Sequence, residues 1–167
     1  MKHLLLLLLT GLITFTGCQK EADIPPRSKS GENIFSCKVN GEIWTAQIPK
    51  RSQNVKILFG FDPDRRDLGM AIIAYNEFRN ERNEAIEIFC SRMDSVGPIQ
   101  MMESRYTDVV NDISAKADSL SMQYITITRL DTINKVVSGE FDELILNTDD
   151  KIEYKLTEGY FDLRYTN

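Results

Sequence analysis

The chain has 167 residues, 42% of them hydrophobic, with 20 Lys+Arg, 25 Asp+Glu and a formal charge of −5. The length fits one domain, and the hydrophobic share excludes an intrinsically disordered chain. An acidic balance with no dominant cluster of Lys and Arg argues against a nucleic-acid partner, because phosphate neutralisation needs such a cluster.

Residues 1–17 read as a targeting segment. Lys2 and His3 precede six leucines at 4–9, and Leu12, Ile13 and Phe15 extend the apolar run. The run is short for a bilayer span, which takes about 20 apolar residues, and fits the core of a secretory signal. It ends in Phe15-Thr16-Gly17-Cys18, small residues directly before a cysteine. That arrangement resembles a bacterial lipobox, with Phe15 where Leu is commonest. It implies cleavage before Cys18 and attachment of a diacylglycerol, with palmitate-type acyl chains, to its thiol. An ordinary signal peptide with an incidental cysteine is the disfavoured alternative. A buried methylene contributes about 0.8 kcal/mol, so two or three chains hold a protein on a membrane permanently. Cleavage removes Lys2 and no acid, moving the formal charge from −5 to −6, so electrostatics would not draw the body to an anionic surface.

Residues 18–33 read as a lipidated polar tether. Gln19, Lys20, Glu21 and Asp23 are followed by Pro25, Pro26, Arg27, Ser28, Lys29, Ser30 and Gly31, a composition that builds no core. At about 3 Å per residue it would let the domain stand roughly 35–40 Å off the membrane. The acids behind Cys18 resemble, weakly, the export signals that carry some lipoproteins to the outer face; a solvated linker explains them equally well. The expected location is the cell envelope: an outer-membrane lipoprotein, periplasmic or surface-exposed.

From Ile34 the dominant period is two, the mark of strands, and residues 34–167 read as one globular domain. Phe35, Cys37 and Val39 alternate with polar residues up to Asn40-Gly41, a pair that accepts the positive φ of a type I′ hairpin turn, and 42–46 follow as the partner strand. Residues 55–61 form another apolar run, 62–67 a turn-rich loop, and 70–75 an apolar stretch predicted to be covered on both faces. Ile86, Ile88 and Cys90 share a face, and Val96-Gly97-Pro98 breaks the chain. A strand over 105–110 followed by a polar loop is favoured; the helical spacing of Tyr106, Val109, Val110, Ile113 and Ala117 leaves one short helix near 105–118 as the alternative.

Ile125 and Ile127 begin the closing part, a turn falls at 131–134, and a long strand at 136–146 carries Gly139 and a suspected bulge near Asp142-Glu143. After a turn at 147–150, Ile152, Tyr154 and Leu156 alternate with charged residues; Glu158-Gly159 reads as a turn before Phe161, Leu163 and Tyr165. Eight to ten short strands predict an all-β fold, a single antiparallel β-sandwich or barrel-like domain.

Two stretches together resemble a known family. The opening Phe35-x-Cys37-x-Val39-Asn40-Gly41-x-x-Trp44 is one half. The closing Ile127-Thr128-x-Leu130-Asp131-x-x-Asn134-x-Val136-Val137-Ser138-Gly139-x-Phe141, with Gly159-x-Phe161-Asp162 behind it, is the other. They resemble uncharacterised Gram-negative cell-envelope lipoproteins classed as a domain of unknown function. The resemblance covers about 34–50 and 121–165. It implies a signal, a lipid cysteine, a short tether and one β-rich domain, and no activity.

Chemistry is bounded mainly by elimination. His3, the sole histidine, leaves with the signal, which excludes Ser-His-Asp and Cys-His catalysis, His-ligated zinc and His acid–base chemistry. The G-x-S-x-G, P-loop and G-x-G-x-x-G motifs are absent. No catalytic residue, metal ligand or cofactor site is assigned. Paired carboxylates of the glycosidase type remain open. Asp62, Asp64 and Asp67, like Asp149-Asp150, read as solvated turns rather than calcium ligands, since they lack the EF-hand pattern. Cys37 and Cys90 read as two free buried thiols, with an envelope disulfide as the alternative. Trp44, Phe59, Phe61, Phe78, Tyr106 and Tyr160 could line a sugar platform but are needed for the core; Tyr160 is the best exposed candidate. Asn40, Gly41 and Trp44 are expected to be structural. The leading expectation is a non-enzymatic binding or accessory protein, held to the membrane through Cys18 and meeting a protein or glycan. A carboxylate-based hydrolase of polysaccharide is the alternative.

Overall fold

A computed structural model describes residues 25–46, 55–62, 67–78, 82–90, 95–118 and 120–165, with 55–62, 67, 68, 78 and 82 described by their backbone alone. The signal segment and Cys18 lie outside the described residues, as do Asp64 and the side chains of Asp62, Asp67, Phe59, Phe61 and Phe78. The described part is all-β. Ten strands follow in chain order: β1 Ile34–Val39, β2 Glu42–Thr45, β3 Val55–Asp62, β4 Asp67–Phe78, β5 Arg82–Cys90, β6 Gly97–Asp108, β7 Ile113–Lys116, β8 Tyr124–Asp131, β9 Val136–Asn147 and β10 Glu153–Arg164.

They form one antiparallel sheet in the order β2-β1-β10-β9-β7-β6-β5-β4-β3, with β8 also joining β6 to β9. The sheet curls so that β3, at one end, comes back near β10. This is the barrel-like solution to a long twisted sheet with one apolar face. Its interior is a single hydrophobic core. Phe35 and Trp44 meet edge to face at 5.9 Å, and Ile72, Ile86, Ile88, Ile125, Ile127, Leu144, Leu146, Leu156 and Phe161 are buried around them. Burying an aliphatic side chain of that size stabilises by about 1.5–3 kcal/mol.

The β1–β2 turn is as expected: Asn40 and Gly41 both have positive φ, 51° and 89°. Asn40 adds a role its sequence context did not suggest. Its N–H donates to the Lys155 carbonyl and its Oδ1 accepts the Lys155 N–H, each at 2.8 Å, tying the turn to β10. The expected faces of β5 and β8 are also present, with Ile86, Ile88, Cys90, Ile125 and Ile127 all buried.

Other expectations are decided or corrected. Over 105–118 the favoured strand is present and the alternative helix is not. β6 continues to Asp108, whose carboxylate accepts the N–H of Val110 and Asn111 and the Asn111 amide, capping a tight turn, and β7 returns with Ala115 buried. The helical spacing was coincidental: Val109 and Val110 sit exposed in that turn. Glu158-Gly159 is no turn either. β10 runs through it, and Glu158, at φ 53°, is the extra residue that shifts β10 against β1 between Ser36 and Lys38. β9 changes face beside it. Phe141 and Leu144 are buried while Asp142 and Glu143 are exposed, yet the β9–β10 register is unbroken. The suspected irregularity at Asp142-Glu143 is therefore a shared bend whose inserted residue belongs to β10. The break read at Val96-Gly97-Pro98 is present, falling at the entry to β6, which Gly97 opens. On β4 Met70, Ile72 and Ala74 are buried but Ala71, Ile73 and Tyr75 only partly, so one face is covered, not two.

Candidate functional site

The last described stretch before β1 is not a free linker. Asp162, fully buried on β10, accepts through Oδ2 the backbone N–H of Ser30 (3.1 Å), Gly31 (2.9 Å) and Glu32 (3.2 Å), and through Oδ1 the Ser138 hydroxyl (2.7 Å). Gly31 has φ 76°, and a Cβ there would stand 2.8 Å from Val136, so the bend that aims three N–H groups at one carboxylate requires glycine. Arg164 donates to the Ser30 carbonyl, Arg129 to that of Lys29, and Arg27 forms an ion pair with Glu140 at 2.8 Å. The Arg27 guanidinium also lies 5.6 Å from the centre of the Tyr160 ring. The segment thus covers Tyr160, which is 3% exposed. Tyr160, the best exposed candidate among the aromatics, is therefore not exposed: it faces away from Phe161, as its alternation implies, but residues 27–32 close over it.

The remaining aromatic candidates are core. Trp44 is 2% and Tyr106 4% exposed. The Tyr106 hydroxyl donates to Glu84 at 2.9 Å, and burial, with that bond and the Glu84 charge, pushes its pKa up. Cys37 and Cys90 are free and buried. Burial raises both thiols, Cys90 to about 12, with the Glu84 charge adding to the effect at Cys37. A thiol held protonated is no nucleophile. Among the described residues no group of three or more His, Cys, Asp or Glu is placed to hold a metal.

Among the described residues, carboxylates come together across the β5–β6 ladder and along β8 and β9. Glu84 on β5 stands opposite Asp108 on β6 in the ladder. Both are occupied: Glu84 accepts Tyr106 and the Asn76 amide, and Asp108 holds the turn. The second place is an open trough of about 760 Å³ along β8 and β9, lined by Met122, Tyr124, Asp118, Glu140, Asp142 and Glu143 among others.

The trough follows from the strand pairing. β6 is covered by β8 over Gly97 to Gln100 and by β7 over Arg105 to Asp108. β9 likewise pairs with β8 up to Glu140 and with β7 only at Asn147. In the gap a side chain does the work of a strand. Gln123 donates its amide to the Ile145 carbonyl (2.8 Å) and accepts the Ile145 N–H (3.1 Å). Tyr124 donates to the Met122 sulfur at 4.0 Å, which sets these two side chains together on the outer surface. The sequence reading missed this site. The alternation of Ile125 and Ile127 already implies that Tyr124 faces outward, but only the pairing reveals the gap between β7 and β8 that it borders.

Comparison with protein-family models, with curated proteins and with solved structures finds no match. Fold and site together define a class: a barrel-like, antiparallel all-β domain with a strapped N-terminal segment and an open trough whose walls are apolar and acidic.

Proposed function

We propose that this chain is a lipid-anchored, non-enzymatic binding or accessory protein of the Gram-negative cell envelope, one of the uncharacterised lipoproteins that its opening and closing motifs resemble. Cys18 carries the lipid. With residues from Arg27 onward held on the domain, only residues 18–26 would separate the lipid from it, a span of roughly 30 Å at most. The domain would therefore ride close to the membrane, its strapped end leading.

The observation that carries the binding reading is the trough. It is an open face, and Asp142 and Glu143 on it are exposed. A general acid at neutral pH needs a carboxyl whose proton is retained by burial or a close like charge. An open, hydrated face favours docking over that chemistry. The thiols are buried, and no histidine follows Cys18.

The test is metabolic labelling with a fatty-acid probe, followed by fractionation. The parent should carry label and sediment with outer membrane. A Cys18→Ser variant that still does both overturns the anchor. The second reading, a carboxylate hydrolase of polysaccharide, draws on the facing pair Glu84 and Asp108. It would require polysaccharide cleavage that Glu84→Gln abolishes in a folded protein.

A further inference from the structure

We propose that the β8–β9 trough docks an extended basic segment of a partner protein that carries an apolar side chain between its cations. The proposal deepens the binding reading above and rests on it.

Charge complementarity selects the occupant. The trough is lined by Asp118, Glu140, Asp142 and Glu143, and among its described lining residues there is no Lys or Arg. An anionic partner is repelled by that rim; a basic one is steered to it and held. The lining is not purely polar: beside Gln123 and Thr126 it includes Met122 and Tyr124. Met122 is 72% and Tyr124 49% exposed. Soft methionine and a rigid tyrosine at the surface suit an apolar side chain of a partner.

The chain's own N-terminal segment supplies a precedent. Arg27 already sits at one end of the trough, its guanidinium paired with Glu140 and stacked near Tyr160. That places a basic side chain of an extended segment on this rim, leaving Asp118, Asp142 and Glu143 for a second segment continuing along β9. A second copy of this chain is a poor occupant, since it brings a formal charge of −5 to an acidic rim.

The floor is preformed. The Gln123–Ile145 amide pair closes the sheet behind the trough, so docking requires no rearrangement of the barrel. Low reorganisation lets a modest surface bind with useful affinity.

The experiment is fluorescence anisotropy on the mature lipidated chain in nonionic detergent, with protein-free micelles as blank. The probe is a fluorescein-labelled peptide of sequence Lys-Thr-Lys-Leu-Lys-Thr-Lys; its glutamate counterpart is the control, and cellohexaose is the competitor. The lysine peptide should bind and the glutamate peptide should not. The Asp142→Asn/Glu143→Gln double variant should weaken binding about tenfold, consistent with two exposed pairs lost together. Tyr124→Ser should weaken it separately, and Glu42→Gln, on the distant β2, should leave it unchanged. Equal binding to the double variant, or none to the parent, overturns the proposal. If cellohexaose binds in place of the peptide and only Tyr124→Ser abolishes it, the occupant is a glycan: this inference fails while the binding reading stands.

Discussion

Phe141 lies across the backbone of Gly159, its cross-strand partner on β10, so closely that a Cβ on Gly159 would fall under 3.0 Å from three atoms of the ring. Two residues along, the relationship repeats in reverse, with Phe161 lying over Gly139. Each aromatic ring fills the space that a side chain on the facing glycine would take. The ladder is thereby packed at the point where both strands bend.

Gly159→Ala should therefore destabilise by overpacking, a cost of about 1–3 kcal/mol. The backbone on both sides is paired, so the ring must move. Gly159→Ala combined with Phe141→Leu should recover part of the loss, because the space is returned. Chemical denaturation of the two variants and the parent measures the recovery; a double variant less stable than the sum of the singles contradicts the packing account.

Asp162→Ala should release the N-terminal segment and lower global stability together. Three backbone N–H groups and the Ser138 hydroxyl lose their acceptor, and each buried group left unpaired costs about 1–3 kcal/mol unless water reaches it. Water will reach the freed segment, so the expected loss is nearer ~3 kcal/mol than the full sum. Limited trypsin digestion should cut the variant at Arg27 and Lys29 well before the parent. Equal protection in both would mean that Asp162 is not what holds the segment.

Asp131 gives a pH dependence. The Asn134 amide, the Asn134 backbone N–H and the Arg129 guanidinium hold its carboxyl far below the usual range. A depressed pKa favours the folded state above the unfolded value, about 3.9, and that advantage is lost as pH falls towards the folded value. The gap in stability between parent and Asp131→Ala should thus be widest near neutrality and shrink below about pH 4. Thermal melts from pH 7 to pH 2 check it; a gap that grows towards acid would reverse the sign and refute it.

Cys37 and Cys90 should be silent to thiol reagents in the native protein. Both are buried, and Cys90 is pushed up to about 12, so the reactive thiolate is scarce at pH 8. Both should titrate only after denaturation. Fast labelling of either in the folded state, or no titration without a reductant, would contradict free buried thiols.

The sequence alone determined whatever depends on local rules. The Asn40-Gly41 turn, the faces of Ile86, Ile88, Cys90, Ile125 and Ile127, and the all-β class were readable because alternation and turn chemistry are short-range signals. Asp131 to Asn134 was readable as a turn for the same reason, since the aspartate caps its own chain. The anchor proposed at Cys18 rests on the same kind of local reading, of the leucine run and the residues before the cysteine. Only the tertiary structure decided the rest. Glu158-Gly159 looks like a turn because a bulge and a turn share residue types; the two differ in what pairs on either side, and that is a property of β1 and β9. Tyr160 is buried by a segment 132 residues earlier in the chain, joined through Asp162, and no local period encodes such a contact. The trough exists because β7 and β8 share one flank of β6 and β9 without meeting, leaving Gln123 to close the gap. Pairing between strands distant in sequence is set by global packing, and a surface site made by that pairing is invisible until the sheet is assembled.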